Sequence, residues 1–202
     1  PRAARQHEHE ASHTQGTSGR AARSAKARSP LKRSRLTALG NDGNGHVASV
    51  DVVIPCYQYG RFLRGCVNSV LSQGIPDLRV LVIDNASTDD SVEVARQLAG
   101  EDPRVEVVVH RRNLGPHASF NEGIDWARSD YFVVLCADDL LAPGCLRHAL
   151  SIMERRPDVG FVYGRALWLR PQDPMPDLDP SSGDGSWRIV SGEALVKRFC
   201  RT

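Results

Sequence analysis

Residues 50–73 read VDVVIPCYQYGRFLRGCVNSVLSQ, and residues 78–91 read LRVLVIDNASTDDS. Both pieces have the same order: a short aliphatic run, a polar break, then apolar residues at helical spacing. The run 50–54, stopped by Pro55, reads as a buried strand. Phe62, Leu63, Cys66, Val67, Val70 and Leu71 then recur on one helical face between Gly60 and Gly74. The run 78–83 is a second strand, ended by Asp84-Asn85. Ser87 to Asp90 has the form of a capping box, in which a hydroxyl accepts from the third residue's N–H. The helix behind it carries Val92, Val94, Ala95 and Leu98 and closes at Gly100.

Outward from these two units the alternation repeats. A strand is predicted at 105–109, and Gly115-Pro116 opens a helix through Phe120, Ile124 and Trp126, with Trp126 in the core. A strand at 131–135 runs into Cys136-Ala137-Asp138-Asp139. Pro143 suits a first helical turn, and that helix passes Leu146, Leu150 and Met153. A fifth strand is predicted at 159–163. Strands alternating with helices of about 10–15 residues imply an α/β fold: a Rossmann-like, mostly parallel sheet flanked by helices. Near-continuous apolar strands agree, because such strands are buried on both faces. The segment 165–186 breaks the rhythm as a long irregular loop. Glu193, Ala194, Leu195, Val196 and Phe199 then start another helix.

The 202 residues carry a net charge of +2, unevenly spread. Residues 1–46 hold nine Lys/Arg against three Asp/Glu, which leaves the remainder net negative. This basic segment is rich in Ala, Ser, Gly and His and almost lacks large apolar residues. It cannot offset the roughly 1–2 kcal/mol per residue lost on ordering a backbone, so it is expected to be a disordered, solvated tail rather than a nucleic-acid arm. No apolar h-region follows its basic residues, and no run approaches the length of a membrane span. The five cysteines show no CxxC spacing, and they read as reduced thiols of a cytoplasmic protein rather than a metal cluster. The domain proper is expected at 47–202. A start at Pro1 and a stop just after an apolar-periodic stretch suggest a fragment, incomplete at its C-terminus.

Ligands of open parallel α/β sheets bind outside the carboxyl ends of the strands. Here those ends carry Pro55-Cys56-Tyr57, Asp84-Asn85, Arg111-Arg112-Asn113-Leu114-Gly115 and Asp138-Asp139. An aromatic can stack on a base, a carboxylate can accept a base N–H, and paired carboxylates can hold a cation shared with phosphates. More ordinary roles stand beside these. Asp84 could cap a turn, Asp89 and Asp90 could complement a helix dipole, and Asp138-Asp139 could lead the next helix. Asn113 and Gly115 could simply shape a tight loop, while Arg111 and Arg112 could face solvent. A dinucleotide enzyme is disfavoured, since Pro55 to Gly60 contains no GxGxxG.

The two opening stretches, with RRNLGPHASFNEGIDWA (111–127) and DYFVVLCADDLLAPGCL (130–146), resemble four consecutive motifs of the family 2 glycosyltransferases. The resemblance covers about residues 47–163 and implies the GT-A fold. It also implies inverting transfer of a sugar from a nucleotide-diphosphate donor, most commonly UDP-linked, to a hydroxyl of a glycan or lipid-linked acceptor. The usual setting is polysaccharide, lipopolysaccharide or cell-wall synthesis, in the cytoplasm at the inner face of the membrane, with any membrane association peripheral. On that likeness Pro55 and Tyr57 line the base pocket, and Asp84 hydrogen-bonds the base. Asp139 ligates Mn2+ or Mg2+, and Asp138 holds the ribose or shares the metal. Arg112, Asn113 and Gly115 are the diphosphate-loop candidates. Many members have an acid where this chain has Cys136, which bears on the ligand geometry. The general base of the family lies on a later segment, expected beyond residue 202, so this polypeptide alone is expected to bind a donor without turnover. A non-catalytic nucleotide-sugar-binding module of the same fold is the alternative.

Overall fold

A computed structural model describes residues 47–170, 173–174, 176 and 187–199. The expected basic tail, and residues 177–186 of the expected irregular loop, lie outside the described residues. Four strands form one sheet: β1 Ser49–Cys56, β2 Asp77–Asp84, β3 Val105–Val109 and β4 Tyr131–Val134. The order is β3-β2-β1-β4, and every pairing is parallel. The helices are α1 Gly60–Leu71, α2 Ser91–Glu101, α3 Pro116–Trp126, α4 Cys145–Arg155 and α5 Gly192–Phe199.

Period-two alternation sorts the strand residues between two faces. Val50, Val52, Ile54 and Cys56 of β1, with Leu78, Val80 and Val82 of β2, join Leu63, Val67, Val70, Ala95, Leu98, Leu146 and Leu150 in the larger core. Helices α1, α2 and α4 therefore share one face. Val53, Leu81 and Ile83 point the other way, where Val108 and Trp126 pack on them. Trp126 is half-buried rather than a full core residue, and the Arg79 guanidinium sits 4.3 Å from its ring centroid.

Several expectations need correction. Pro55 does not end β1, which continues through it to Cys56. Val53 O accepts from Leu135 N on the β4 side, whereas Cys56 O accepts from Asn85 N on the β2 side. By alternation the N–H that Pro55 lacks would face β4 beyond its last residue, so no ladder bond is lost. Residues 159–163 form no strand, and Phe161 and Tyr163 are exposed. A short apolar run becomes a strand only beside a partner, and no described residue pairs with it. Pro143 precedes α4 instead of opening it, because Gly144 adopts a left-handed φ of 72° that a helix cannot include. The capping box is not made. Ser87 Oγ accepts from Gln58 N at 3.0 Å, in a different loop, and α2 starts only at Ser91. No described helix is long and apolar enough to cross a membrane.

Candidate functional site

Because the sheet is parallel, the segments after all four strands emerge at one edge. The loops after β1 and β2 are stitched together there. Besides the Gln58 N–Ser87 bond, Gln58 Nε2 donates to Thr88 Oγ1 at 2.8 Å and Tyr59 N donates to Ser91 Oγ at 3.2 Å. Asp89 Oδ2 accepts from Gly60 N at 3.1 Å, and its Oδ1 accepts from Ser91 N and Oγ. Asp89 thus joins two helix N-termini, more than the single capping role read from sequence. A Cβ on Gly60 would fall 2.0 Å from Asp90 Oδ1, so only glycine permits this approach. Gln58 and Ala86 both take a left-handed φ, 62° and 64°. Such strain in non-glycine residues persists where surrounding bonds over-determine it and gathers at functional loops.

Within this frame Tyr57, just past the end of β1, is 45% exposed, and Pro55 is half-buried. Asp84 is fully buried at the end of β2. Its Oδ1 accepts from Ser87 N at 3.0 Å, the turn-capping role foreseen as the plain alternative. Its Oδ2, however, has no hydrogen-bond partner. A buried carboxylate oxygen without a donor is costly. Turn capping therefore accounts for only half of this side chain.

The β3–α3 loop is fixed by a residue that the sequence offered only as a neighbour. Asn85, 4% exposed, accepts from Leu114 N at 2.8 Å and donates Nδ2 to Asn113 Oδ1 at 2.9 Å. Asn113 Oδ1 also accepts from Gly115 N at 2.8 Å. The loop-shaping role of Asn113 is thus visible in its bonds. Gly115, at φ 83°, turns the chain into α3, a backbone position that favours glycine. Arg111 and Arg112 are exposed at the same edge and form no ion pair among the described residues.

After β4, Asp139 N donates to Cys136 O at 3.0 Å in a tight turn that leaves Cys136, Asp138 and Asp139 exposed. One ligand atom from each of these three lies within 4.8 Å of the others, a spacing one cation can span. Partial burial and then the Asp138 charge push the Asp139 carboxyl up. Burial, Asp139 and Asp138 push the Cys136 thiol up. Helix α1 holds the turn from beneath. Cys66 Sγ donates to Cys136 O at 3.4 Å, and burial first, then Asp139, pushes that thiol up to about 12. Ser69 Oγ accepts from Leu141 N, and Gln73, 1% exposed, donates to Ala142 O and accepts from Leu146 N. Gln73 carried no sequence signal beyond its place after a helix. Among the described residues, no hydrogen bond ties the acid pair to Asp84 or Asn85, so the edge carries two separate polar clusters.

A family model described as glycosyl transferase family 2 matches residues 51–186, more than half of the chain, and the chain belongs to that family. It is 31% identical over 114 residues to an uncharacterized glycosyltransferase of Nostoc, covering 56% of this chain and 35% of that one. Over 129 residues it is 29% identical to the hyaluronan synthase of Pasteurella multocida, covering 64% of this chain and 13% of that one. The S. aureus TarS 1–349 structure in complex with UDP matches with a TM-score of 0.50 at 20% identity, covering 54% of this chain and 33% of that one. That likeness is one of fold, and it agrees with the GT-A architecture. The chain therefore spans about a third or less of the length of these relatives.

Proposed function

We propose that this chain forms the donor-binding part of an inverting, metal-dependent glycosyltransferase that moves a sugar from a nucleoside diphosphate to an acceptor hydroxyl. The observation that carries the reading is the orphaned, buried Oδ2 of Asp84 at the end of β2. A nucleobase N–H supplies the donor this oxygen lacks, after a local shift of the loops that enclose it. Tyr57, exposed on the adjoining strand end, stacks on the base. Pro55 backs that pocket, and UDP is the leading nucleotide.

The donor set at 136–139 fits a divalent cation. Its two carboxylates are the hard oxygen ligands that Mg2+ and Mn2+ take, and their atoms already converge. Asp139 is the principal ligand, and Asp138 shares the metal or holds the ribose. A cation held there stabilises the charge that develops on the departing diphosphate. Arg112, with the loop shaped by Asn113 and Gly115, flanks the phosphates.

The acceptor is a glycan or lipid-linked hydroxyl in cell-envelope polysaccharide synthesis, a setting supported by a relative named hyaluronan synthase. A cytoplasmic position at the inner membrane face is supported by the unbridged thiols of Cys56, Cys66, Cys136 and Cys145. Calorimetric titration with UDP, GDP and dTDP, with and without Mn2+, tests the reading. One nucleotide should bind in a metal-dependent way, and Asp139→Ala should abolish the metal dependence. Failure of all three to bind, or binding indifferent to both metal and Asp139, overturns it.

A further inference from the structure

The hydrogen-bonded pair of His110 and Glu122 at the sheet edge lies outside every role assigned above. His110 follows β3, and its side chain is 8% exposed. Its N–H donates to Asp84 O at 2.9 Å. Its Nδ1 lies 2.9 Å from Asn85 Oδ1, and its Nε2 lies 2.6 Å from Glu122 Oε2 on α3. The partners fix which atom donates at Nδ1. Leu114 N–H can only donate, so the Asn85 atom it meets is the oxygen. Since His110 Nδ1 faces that same oxygen, it too must carry a proton. On the far side, Nε2 lies within hydrogen-bond distance of the Glu122 carboxylate. The imidazole therefore bridges α3 to Asn85, and Asn85 in turn grips Leu114 and Asn113.

We infer that His110, braced by Glu122, is a positioning residue that holds Asn85 and, through it, the 111–115 loop in the shape that receives the donor's diphosphate. Three features carry this. The imidazole is nearly buried, yet both its nitrogens are used. Asn85 Oδ1 accepts from both His110 and the loop backbone, so displacing the ring frees the amide to turn. The loop so held brings two exposed guanidiniums, Arg111 and Arg112, to the edge that also carries Asp84 and the acid pair. Helix α3 thus acts on the donor site through one imidazole, without touching the ligand.

The inference rests on the donor-site reading, and the test separates the two. UDP and uridine are titrated calorimetrically in the presence of Mn2+ into the unaltered protein, His110→Leu, Glu122→Leu, Glu122→Gln and the His110→Leu/Glu122→Leu double variant. Glu122 has 40% of its side chain exposed, so its variants keep the test open should the histidine variant not fold. Loss of one positioning bond should weaken UDP on the order of tenfold, with uridine unchanged. Glu122→Gln, which retains a hydrogen-bonding partner for Nε2, should recover most of that loss, and the double variant should be no worse than either single one. A UDP-to-uridine affinity ratio that the leucine variants leave unchanged overturns the positioning role alone. Equal weakening of uridine and UDP overturns it as well, since the effect would then be general. Failure of the unaltered protein to bind UDP, GDP or dTDP overturns the donor reading and this inference with it.

Discussion

Asp51 and Asp84 are both fully buried aspartates on the two central strands, yet they sit at opposite ends of the sheet and are treated differently. Asp51, near the start of β1, accepts from Arg79 Nε and Nη2, from the backbone N–H groups of Arg128 and Ser129, and from Ser129 Oγ, at 2.6–2.9 Å. Both its oxygens are saturated, and with them it ties β2 and the entry to β4 onto β1. Asp84, at the other end, has one donor on Oδ1 and none on Oδ2. A carboxylate that only stabilises a fold should look like Asp51, because every unused lone pair in the interior costs free energy. One left half-satisfied at the carboxyl edge of a parallel sheet, where such folds bind ligands, supports the proposal that its remaining donor comes from outside the chain.

The contrast can be broken most forcefully at Asp51. Asp51→Ala leaves two backbone N–H groups without their acceptor, at about 1–3 kcal/mol for each buried group left unpaired, whereas the Arg79 guanidinium, a third exposed, keeps water and Glu106. Urea unfolding should show that loss, while the nucleotide affinity of the molecules still folded stays the same. A variant of near-native stability would mean that the saturated cluster is ornamental, and the contrast would lose its structural half.

Asp84→Asn addresses the other half. Asparagine keeps the acceptor for Ser87 N, and its amide replaces an oxygen that had no partner, so stability should change by less than about 1 kcal/mol. A base N–H would then face an amide instead of a carboxylate. Hydrogen bonds to charged groups contribute roughly 1.5–3 kcal/mol, so nucleotide affinity should fall about tenfold to a hundredfold by calorimetry. A variant that is strongly destabilised yet binds nucleotide normally would make Asp84 a second Asp51.

The same two ends show what the sequence could and could not disclose. The four strands and their helices were legible because burial imposes period two on strands and about 3.6 residues on helices, as in Val50, Val52 and Ile54 or Leu63, Val67 and Val70. Asp84, Tyr57, Asp138 and Asp139 were legible as candidates because strand ends are where such folds bind ligands. The residues that clamp the neighbouring loops were not. Gln73, Asn85, His110 and Glu122 take their roles from partners on other elements, and nothing local distinguishes a clamping glutamine from a surface one. Ser87 shows the opposite failure: a local pattern promised a capping box, and a tertiary partner, Gln58 N, took the hydroxyl instead. The 159–163 run forms no strand for a related reason, since composition signals a strand but only a neighbouring strand makes one.

The smallest expected effect sharpens the comparison through pH. Burial by itself would raise the Asp51 carboxyl, but the bonds from Arg79 and Ser129 and from the Arg128 and Ser129 amides outweigh it and hold the group below its usual value. A carboxyl depressed in the folded state binds its proton more readily when unfolded. Its contribution to stability is therefore complete above the unfolded value, about 3.9, and is lost as pH falls through the lower folded one. Stability measured by urea unfolding should thus decline more steeply below about pH 4 in the unaltered protein than in Asp51→Asn, where nothing titrates at that position. Parallel acid limbs in the two proteins would show that the donors around Asp51 do not discriminate between its charged and neutral forms. The saturation of that end of the sheet would then be a matter of packing geometry and not of charge.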